Sequence, residues 1–553
     1  GRVEVMRGAA AMLYGNAAGG VVAFESERPP MGFGGEARLI LGSHDLLRAN
    51  AKVGGGTLRT RYLASFSRLQ ADGFRAHSTV EQNNFNGRVR HELNEDSYIA
   101  VTVNAADAPV AVAPEGAVMV SQTMLDTSRI MVDFNQMKAF GQDPLILDKG
   151  EGIRVTDVFG KTYIDGLSGV FTVNLGHGIP LFAEIAAEQM KRISFTAPTM
   201  ATNPPALRLA EYLIGITPDQ YTTVKFFSGG SEATEAAIKL ARQYHLQSGH
   251  PRKYKIISRY KSYHGGTGHA MAASGQTEWK SKFEPFAPGF VHVTPPARPG
   301  CAACKRLDGC TLACLDLIEE AIVNEHPDTV AAVIAEPIML SAGVHVPHPE
   351  YFPRLRELCD QHNVLLIFDE IITGFGRTGR LFAAERVGAW PDILACGKGI
   401  SGGYAPLSAI LISDKIAQPF WGEPEQGVQF WAGHTYGGNP VACAVGEAAV
   451  RYLLDNDLIG NADRVGGYLA AKLRDIGTRQ PVVAEVRGLG MLLGIAFHQP
   501  IGKAVYAAAR QRGLLLRPGF DWDGVAPPLC TTMDEADEIA GILEAAIGDV
   551  VGG

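Results

Sequence analysis

Two residues in this chain, an acid and an amine, stand where chemistry is done. Asp369 closes an uninterrupted apolar run, Val364 to Phe368, and Lys398 follows a second run, Ile393 to Cys396, inside the glycine-rich "GKGISGGY". Runs of that kind read as strands buried on both faces, and ligands bind at the carboxyl ends of such strands in open α/β sheets. A lysine withdrawn from water loses affinity for its proton and becomes a nucleophile able to form a Schiff base with an aldehyde. An aspartate beside a pyridine nitrogen keeps that ring protonated. Pyridoxal phosphate needs both: the lysine holds the aldehyde and shuttles protons, while the protonated ring takes up electrons. Either residue alone has an ordinary reading, as a helix-capping carboxylate or a loop lysine.

The surrounding words narrow the choice. "IFDEIITGFGRTG" followed by "GKGISGGYAPLSA" resembles the signature of the class III aminotransferases, including its spacing from aspartate to lysine. That resemblance implies the α/β fold of the fold type I pyridoxal phosphate enzymes, with a large domain built on a mainly parallel sheet and a small C-terminal α/β domain. It also implies transfer of an amino group from an amine or ω-amino acid to a keto acid such as pyruvate, in two half-reactions with ping-pong kinetics. An aminomutase or a decarboxylase of the same fold stays open, because one carbanion serves all three. So does a binding or scaffold protein whose enzyme half is inert.

Other stretches take their roles from the same resemblance. In "VKFFSGGSEATEAAIKLARQYH" a strand, a glycine turn and an amphipathic helix, with Ala236, Leu240 and Tyr244 along one face, make Gly230 and Ser231 the expected phosphate ligands. Tyr263, Glu336 and Ile371 are implied as neighbours of the cofactor ring, and His264, set before two glycines, also reads as a turn residue. Many relatives carry Gln where Met339 stands, which implies a different pocket polarity here. Thr435, in "QFWAGHTYGGNP", is implied to reach the phosphate of a neighbouring subunit, which calls for a homodimer at least, with higher assembly left open. Phe171 is implied as an aromatic wall, and equally reads as ordinary core; Arg517, ten residues before Pro527, is implied as the anchor for a substrate carboxylate, and also reads as an exposed arginine at a strand end. "CAACKRLDGCTLAC" sets Cys301, Cys304, Cys310 and Cys314 in a C-x2-C-x5-C-x3-C pattern that fits no standard four-cysteine template, and no metal is assigned to it.

The elements that must position these groups fill a chain of 553 residues, 46% hydrophobic and 20% charged, with room for several cores. A net charge of -8 gives no basic footprint for nucleic acid or an anionic membrane. No apolar stretch reaches the roughly eighteen residues of a spanning helix, and no signal peptide opens a numbering that starts at Gly1, so a cytoplasmic location is expected, with room for sequence upstream. Cys359, Cys396, Cys443 and Cys530 lie in apolar contexts and read as small buried hydrophobes.

Residues 1–104 have another texture. Period-two alternation in "TLRTRYLASFSRL", "FNGRVRHEL" and "SYIAVTVN" predicts an antiparallel β region, and arginine supplies nearly all its basic side chains. The opening "RVEVMRGAAAMLYGNAAGGVVAFESERPP" resembles the end of the plug of TonB-dependent outer-membrane receptors, and the alternating segments resemble their first barrel strands. Four or five strands fall far short of the roughly twenty-two such a barrel needs. The region is expected to be a remnant fused to an enzyme, enlarging a contact between subunits rather than transporting anything. Residues 105–117, rich in Ala and Pro, read as a linker, and 118–553 as the enzyme, its large domain spanning about 180–445.

Overall fold

The computed structural model describes residues 2–6, 21–25, 32–42, 46–72, 79–93, 97–111, 130–296, 303–304 and 310–552. The chain divides into two compact units, Gly1–Pro144 and Leu145–Gly553.

In the first unit, five antiparallel strands form a meander in chain order: Gly34–Gly42, Leu46–Gly56, Thr60–Asp72, Thr79–Glu92 and Tyr98–Ala111. The last strand runs seven residues into the expected linker. Its carboxyl end pairs with the strand before it, Ala111 opposite Val80, because that strand's open edge offers backbone partners whatever the local side chains. The rest of the expected linker, 112–117, lies outside the described residues, as does most of the plug-like opening apart from a short hairpin of Arg2–Met6 with Val21–Glu25.

The second unit is organised by a seven-stranded sheet. From one edge to the other its strands are Tyr221–Phe227, Ser408–Ser413, Ile393–Cys396, Leu365–Glu370, Val330–Ala335, Lys255–Arg259 and Phe290–Val293. All run parallel except Ser408–Ser413, which is reversed against both neighbours. The central strands are buried at every position, which is why their sequences are unbroken apolar runs rather than alternations. Parallel registry puts Ala335 beside Phe368, and Asp369 beside Ala395, so Glu336, Asp369 and Lys398 all emerge at one carboxyl edge.

A hairpin, Arg154–Asp157 with Thr162–Asp165, and a four-stranded sheet built on Val483–Leu489, Leu492–Phe497 and Trp522–Val525 complete the unit, with helices Leu458–Arg479 and Met533–Gly552 packed alongside. Among the described residues no helix is long and apolar enough to cross a membrane.

One buried arginine ties these parts together. Arg377, in the glycine-rich loop after Asp369, donates from Nη1 to the carbonyls of Met491 (3.2 Å) and Pro527 (2.6 Å), and from Nη2 to Ser168 Oγ (3.0 Å) and Asn174 Oδ1 (2.6 Å). It is fully buried, and burial pulls its pKa down to about 9. Four acceptors from three separate segments thus converge on a single cation. Replacing it with an apolar residue strands buried acceptors, each at a cost of about 1–3 kcal/mol. Arg377→Leu is expected to lose at least about 3 kcal/mol in denaturant unfolding, with Arg377→Lys intermediate; equal stability of the leucine variant and the parent would refute this role.

Candidate active site

The carboxyl edge of the sheet opens into a cavity of about 160 Å³ lined by Gly230, Ser231, Tyr263, Glu336, Asp369, Ile371 and Lys398, among others. Seven of the residues expected at the site therefore share one space.

Lys398 leaves its strand through Gly397 into a single tight turn and holds a left-handed backbone, φ 46°. For a residue with a Cβ that conformation costs about 1–3 kcal/mol and persists only where the surroundings impose it. Gly399, next along, packs against Asn174, and Arg377 fixes Asn174 in turn, so the turn cannot relax outward. The Lys398 amine donates to the carbonyl of Val170 at 3.0 Å. Val170 is presented by a strained loop: Ser168 and Phe171 on either side both have positive φ, 54° and 59°. Ser168 Oγ is tied to the Ala526 carbonyl at 2.6 Å, and Asp165 accepts from the Gly169 amide at 2.7 Å. Withdrawal from water lowers the Lys398 pKa to about 8, and the negative charge of Asp369 only partly opposes this.

Asp369 is buried, and its two oxygens do different jobs. Oδ1 accepts from the Ile371 amide at 3.2 Å, while Oδ2 lies 2.8 Å from His264 Nδ1. A carboxylate can only accept, so the imidazole must carry its proton on Nδ1. His264 is pinned on both sides: its amide donates to Ser274 Oγ (2.8 Å), and its carbonyl accepts from Thr234 Oγ1 (2.5 Å). The histidine that also reads as a turn residue thus orients the acid. A histidine five residues after the end of strand Lys255–Arg259 and directly before two glycines was the available signal.

Glu336 faces the same cavity and accepts from the Tyr263 amide at 3.2 Å. Burial first, and the charge of Asp369 second, raise its pKa to about 7. Glu370, next to Asp369 but on the other side of the strand, accepts from Thr373 Oγ1 and from the amides of Ala383 and Ala384 at the start of helix Ala383–Val387. Burial nonetheless lifts it to about 7.

The phosphate end is legible in the backbone. Helix Gly230–Gln247 begins at the cavity, with Glu232 capping the amides of Ser228 and Gly229 and with Gly230 and Ser231, the first two residues of the helix, lining the space. A Cβ on Gly230 would stand 2.7 Å from Ile371 Cγ2, and one on Gly265 would stand 2.7 Å from Ser231 Oγ. The glycines keep that corner open. Donor amides at one end, an oriented acid at the floor and a desolvated amine opposite are the set that pyridoxal phosphate requires, so the residues present fit the group.

Three expected residues lie elsewhere. Phe171 is 2% exposed and packs with Ile338, Leu340, Val344, Leu492 and Trp522 rather than lining the cavity, because the left-handed turn at Ser168 and Phe171 aims its ring into the core and the Val170 carbonyl at Lys398. Arg517 lies outside the cavity lining, its guanidinium 4.9 Å from the Trp522 ring and Nη1 donating to the Pro518 carbonyl at 3.2 Å. Thr435 is exposed and does not reach the cavity of its own chain. Met339 is buried, its backbone bridged to His345. Of the cysteine cluster, Cys304 and Cys314 are buried, Cys304 Sγ being 3.6 Å from Thr311 Oγ1; Cys310 is half-buried, and Cys301 lies outside the described residues. No group of three or more metal-ligating side chains occurs among the described residues.

Residues 137–547 match the family described as aminotransferase class-III. A probable aminotransferase of Mycobacterium tuberculosis is 37% identical over 76% of this chain and 93% of its own length. A taurine–pyruvate aminotransferase of Bilophila wadsworthia is 33% identical over 77% of this chain and 96% of its own. Among solved structures, an (S)-enantioselective omega-transaminase from Thermomicrobium roseum superposes with a TM-score of 0.72 at 36% identity, covering 76% of this chain and 96% of that one.

The pKa of Lys398 can be read without turnover. Labelling of the cofactor-free protein with an amine-selective reagent, followed by peptide mapping, is expected to reach half its maximum at Lys398 near pH 8, while exposed lysines respond only above about pH 10. A Lys398 profile that matched the exposed lysines would show that the amine is not desolvated.

Proposed function

Since the chain belongs to the class III aminotransferases, enzymes of fold type I that carry out pyridoxal phosphate-dependent transamination, we propose that it moves an amino group from an amine or ω-amino acid to pyruvate or a similar keto acid. The observation that supports this reading most directly is the sharing of one cavity by Lys398, Asp369, Gly230 and Ser231.

Pyridoxal phosphate, when bound, supplies an aldehyde for the amine and an electron sink for the charge left when a proton departs. The protein's own groups do the rest. The first-turn amides of the Gly230 helix and Ser231 hold the phosphate. Asp369, oriented by His264, keeps a proton on the ring nitrogen. Lys398 Nζ, whose pKa of about 8 leaves a neutral fraction of the amine near neutral pH, takes the proton from the substrate carbon and returns it one position away, the Val170 carbonyl giving the amine a fixed resting place. Tyr263 and Ile371 bound the ring, and Glu336, its pKa raised to about 7 by burial, carries less negative charge beside Asp369 than an exposed glutamate would. Arg517 binds the keto acid's carboxylate after swinging away from Trp522. Thr435 serves the site of a second subunit, which makes a homodimer the functional unit; its exposure within one chain supports that assignment.

For the remainder of the chain, we place the enzyme from about residue 118 onward, and read the N-terminal sheet as a remnant of a TonB-dependent receptor. Its one-sided alternation and its arginines support that descent.

A screen of amines against keto acids on the purified protein tests the activity. Lys398→Ala is expected to cut turnover by at least about a thousandfold. Arg517→Ala is expected to lower kcat/KM for the keto acid by roughly 10- to 100-fold and to leave that for an uncharged amine nearly unchanged. Equal losses in both half-reactions would remove Arg517 from its role, and turnover surviving in the lysine variant would remove the mechanism.

A further inference from the structure

The five-stranded N-terminal sheet has two unlike faces. Registry aligns Val53, Ala64, Gly87 and Val103 in one row across it, with Tyr62, Val89 and Val101 in the next row and Ala51, Phe66 and Phe85 in the row beyond. All of these point to one side, since side chains alternate along a strand. The other side carries Lys52, Ser65 and Asn86 in one row and Arg61 and Arg90 in another. Ion pairs also sit on that side, Arg90 with Glu92 at 2.8 Å and Arg38 with Glu36 at 3.2 Å. The apolar side is open to solvent: Phe66 is 47% exposed, Val101 59% and Val103 55%.

On the middle strands the apolar band meets polar rims, Thr60 with His91 at one end and Arg68 with Asn83 at the other, while Ile99 at one end and Leu39 and Leu41 at the other continue it on the outer strands. Eight residues of strand separate the rims, roughly 26 Å, and five strands span roughly 24 Å. Each copy therefore offers roughly 600 Å², and two copies packed face to face bury roughly 1,200 Å², the lower bound for a stable specific interface. A patch that size is also at the upper end of what a monomer leaves uncovered.

We infer that this face is a self-association surface, covered by the same face of a second copy of the chain, sheet on sheet. The packing is isologous, the Phe66–Phe85 pairs of the two copies meet near its centre, and the arginine-rich faces stay in water. The patterning alone would also suit the hydrocarbon of a bilayer. An open five-stranded sheet laid in lipid, however, leaves the outward amides and carbonyls of both edge strands unpaired, at several kcal/mol each. A second copy asks for no such desolvation, because the edges remain in water. This inference is independent of the catalytic reading.

The test uses the full chain with the photo-reactive residue benzoylphenylalanine in place of Phe66 or Phe85, and, as controls, in place of Ser65 or Asn86 on the opposite face. Irradiation of an equal mixture of isotope-labelled and unlabelled protein should give a covalent product of doubled mass from both apolar-face probes, with mixed-isotope links that map to strands between residues 46 and 103 of the other copy. The two control probes should give none. No doubled-mass product, links that map to the aminotransferase half, or equal products from both faces would overturn the proposal. So would flotation of the protein with phosphatidylethanolamine–phosphatidylglycerol vesicles at the expense of the cross-link. Two near-isosteric sites guard against a single probe that disturbs the sheet.

Discussion

The withdrawal of one ammonium group from water is the constraint on which the second unit depends. A lysine at a sheet edge ordinarily extends into solvent, where its charge is hydrated and its amine is useless as a nucleophile. Here the strand Ile393–Cys396 ends inside the fold, the backbone of Lys398 is held left-handed, and the amine donates to the Val170 carbonyl within the field of Asp369. Keeping that arrangement requires a rigid partner for the amine. The Val170 loop provides it, and Arg377 makes the loop rigid by binding its two ends, Ser168 and Asn174, from the opposite side. The acid is treated in the same way, with His264 clamped through its backbone so that its ring can fix Asp369. Each reacting group is thus positioned by a second residue that is itself immobilised, which is how a site stays within the tolerance that catalysis demands.

Much of this could be read from the sequence, and the exceptions share a cause. Lys398 and Asp369 are legible because buried strands announce themselves as apolar runs, and a residue at the carboxyl end of such a run faces the ligand edge. Gly230 and Ser231 come from the family resemblance, since a glycine turn before an amphipathic helix describes a helix N-terminus without naming what it binds. The Val170 carbonyl is not legible, since every residue has a carbonyl and only the left-handed φ values at Ser168 and Phe171 aim this one. The same two torsions send the Phe171 ring into the core. Arg377 in a glycine-rich loop looks like a surface residue, and only the assembled fold shows acceptors gathering around it. In the first unit, Ala105 to Ala111 has no strand pattern of its own, and it becomes strand because a neighbouring edge has partners to offer.

The two sheets show how one rule writes two kinds of sequence. Strands of the seven-stranded sheet are covered on both faces and are apolar throughout, so they carry little information about which way a side chain points. Strands of the N-terminal sheet alternate, so their facing is explicit: Arg61, Arg88 and Arg90 fall on one side and Val53, Phe66, Phe85 and Val89 on the other, with Arg68 at the margin of the apolar side.

The adjacent carboxylates at the end of strand Leu365–Glu370 carry one more implication. Asp369 serves the cavity and Glu370 caps a helix on the far side, so the alternation of a single strand divides two acids between two tasks. A deletion or insertion of one residue upstream within that strand would swap their sides and spoil both tasks together, leaving no half-functional step between. Evolution can therefore vary this stretch by exchanging letters but not by shifting the reading of the pleat, and the spacing from the strand's start to its two acids should be the least negotiable length in the chain.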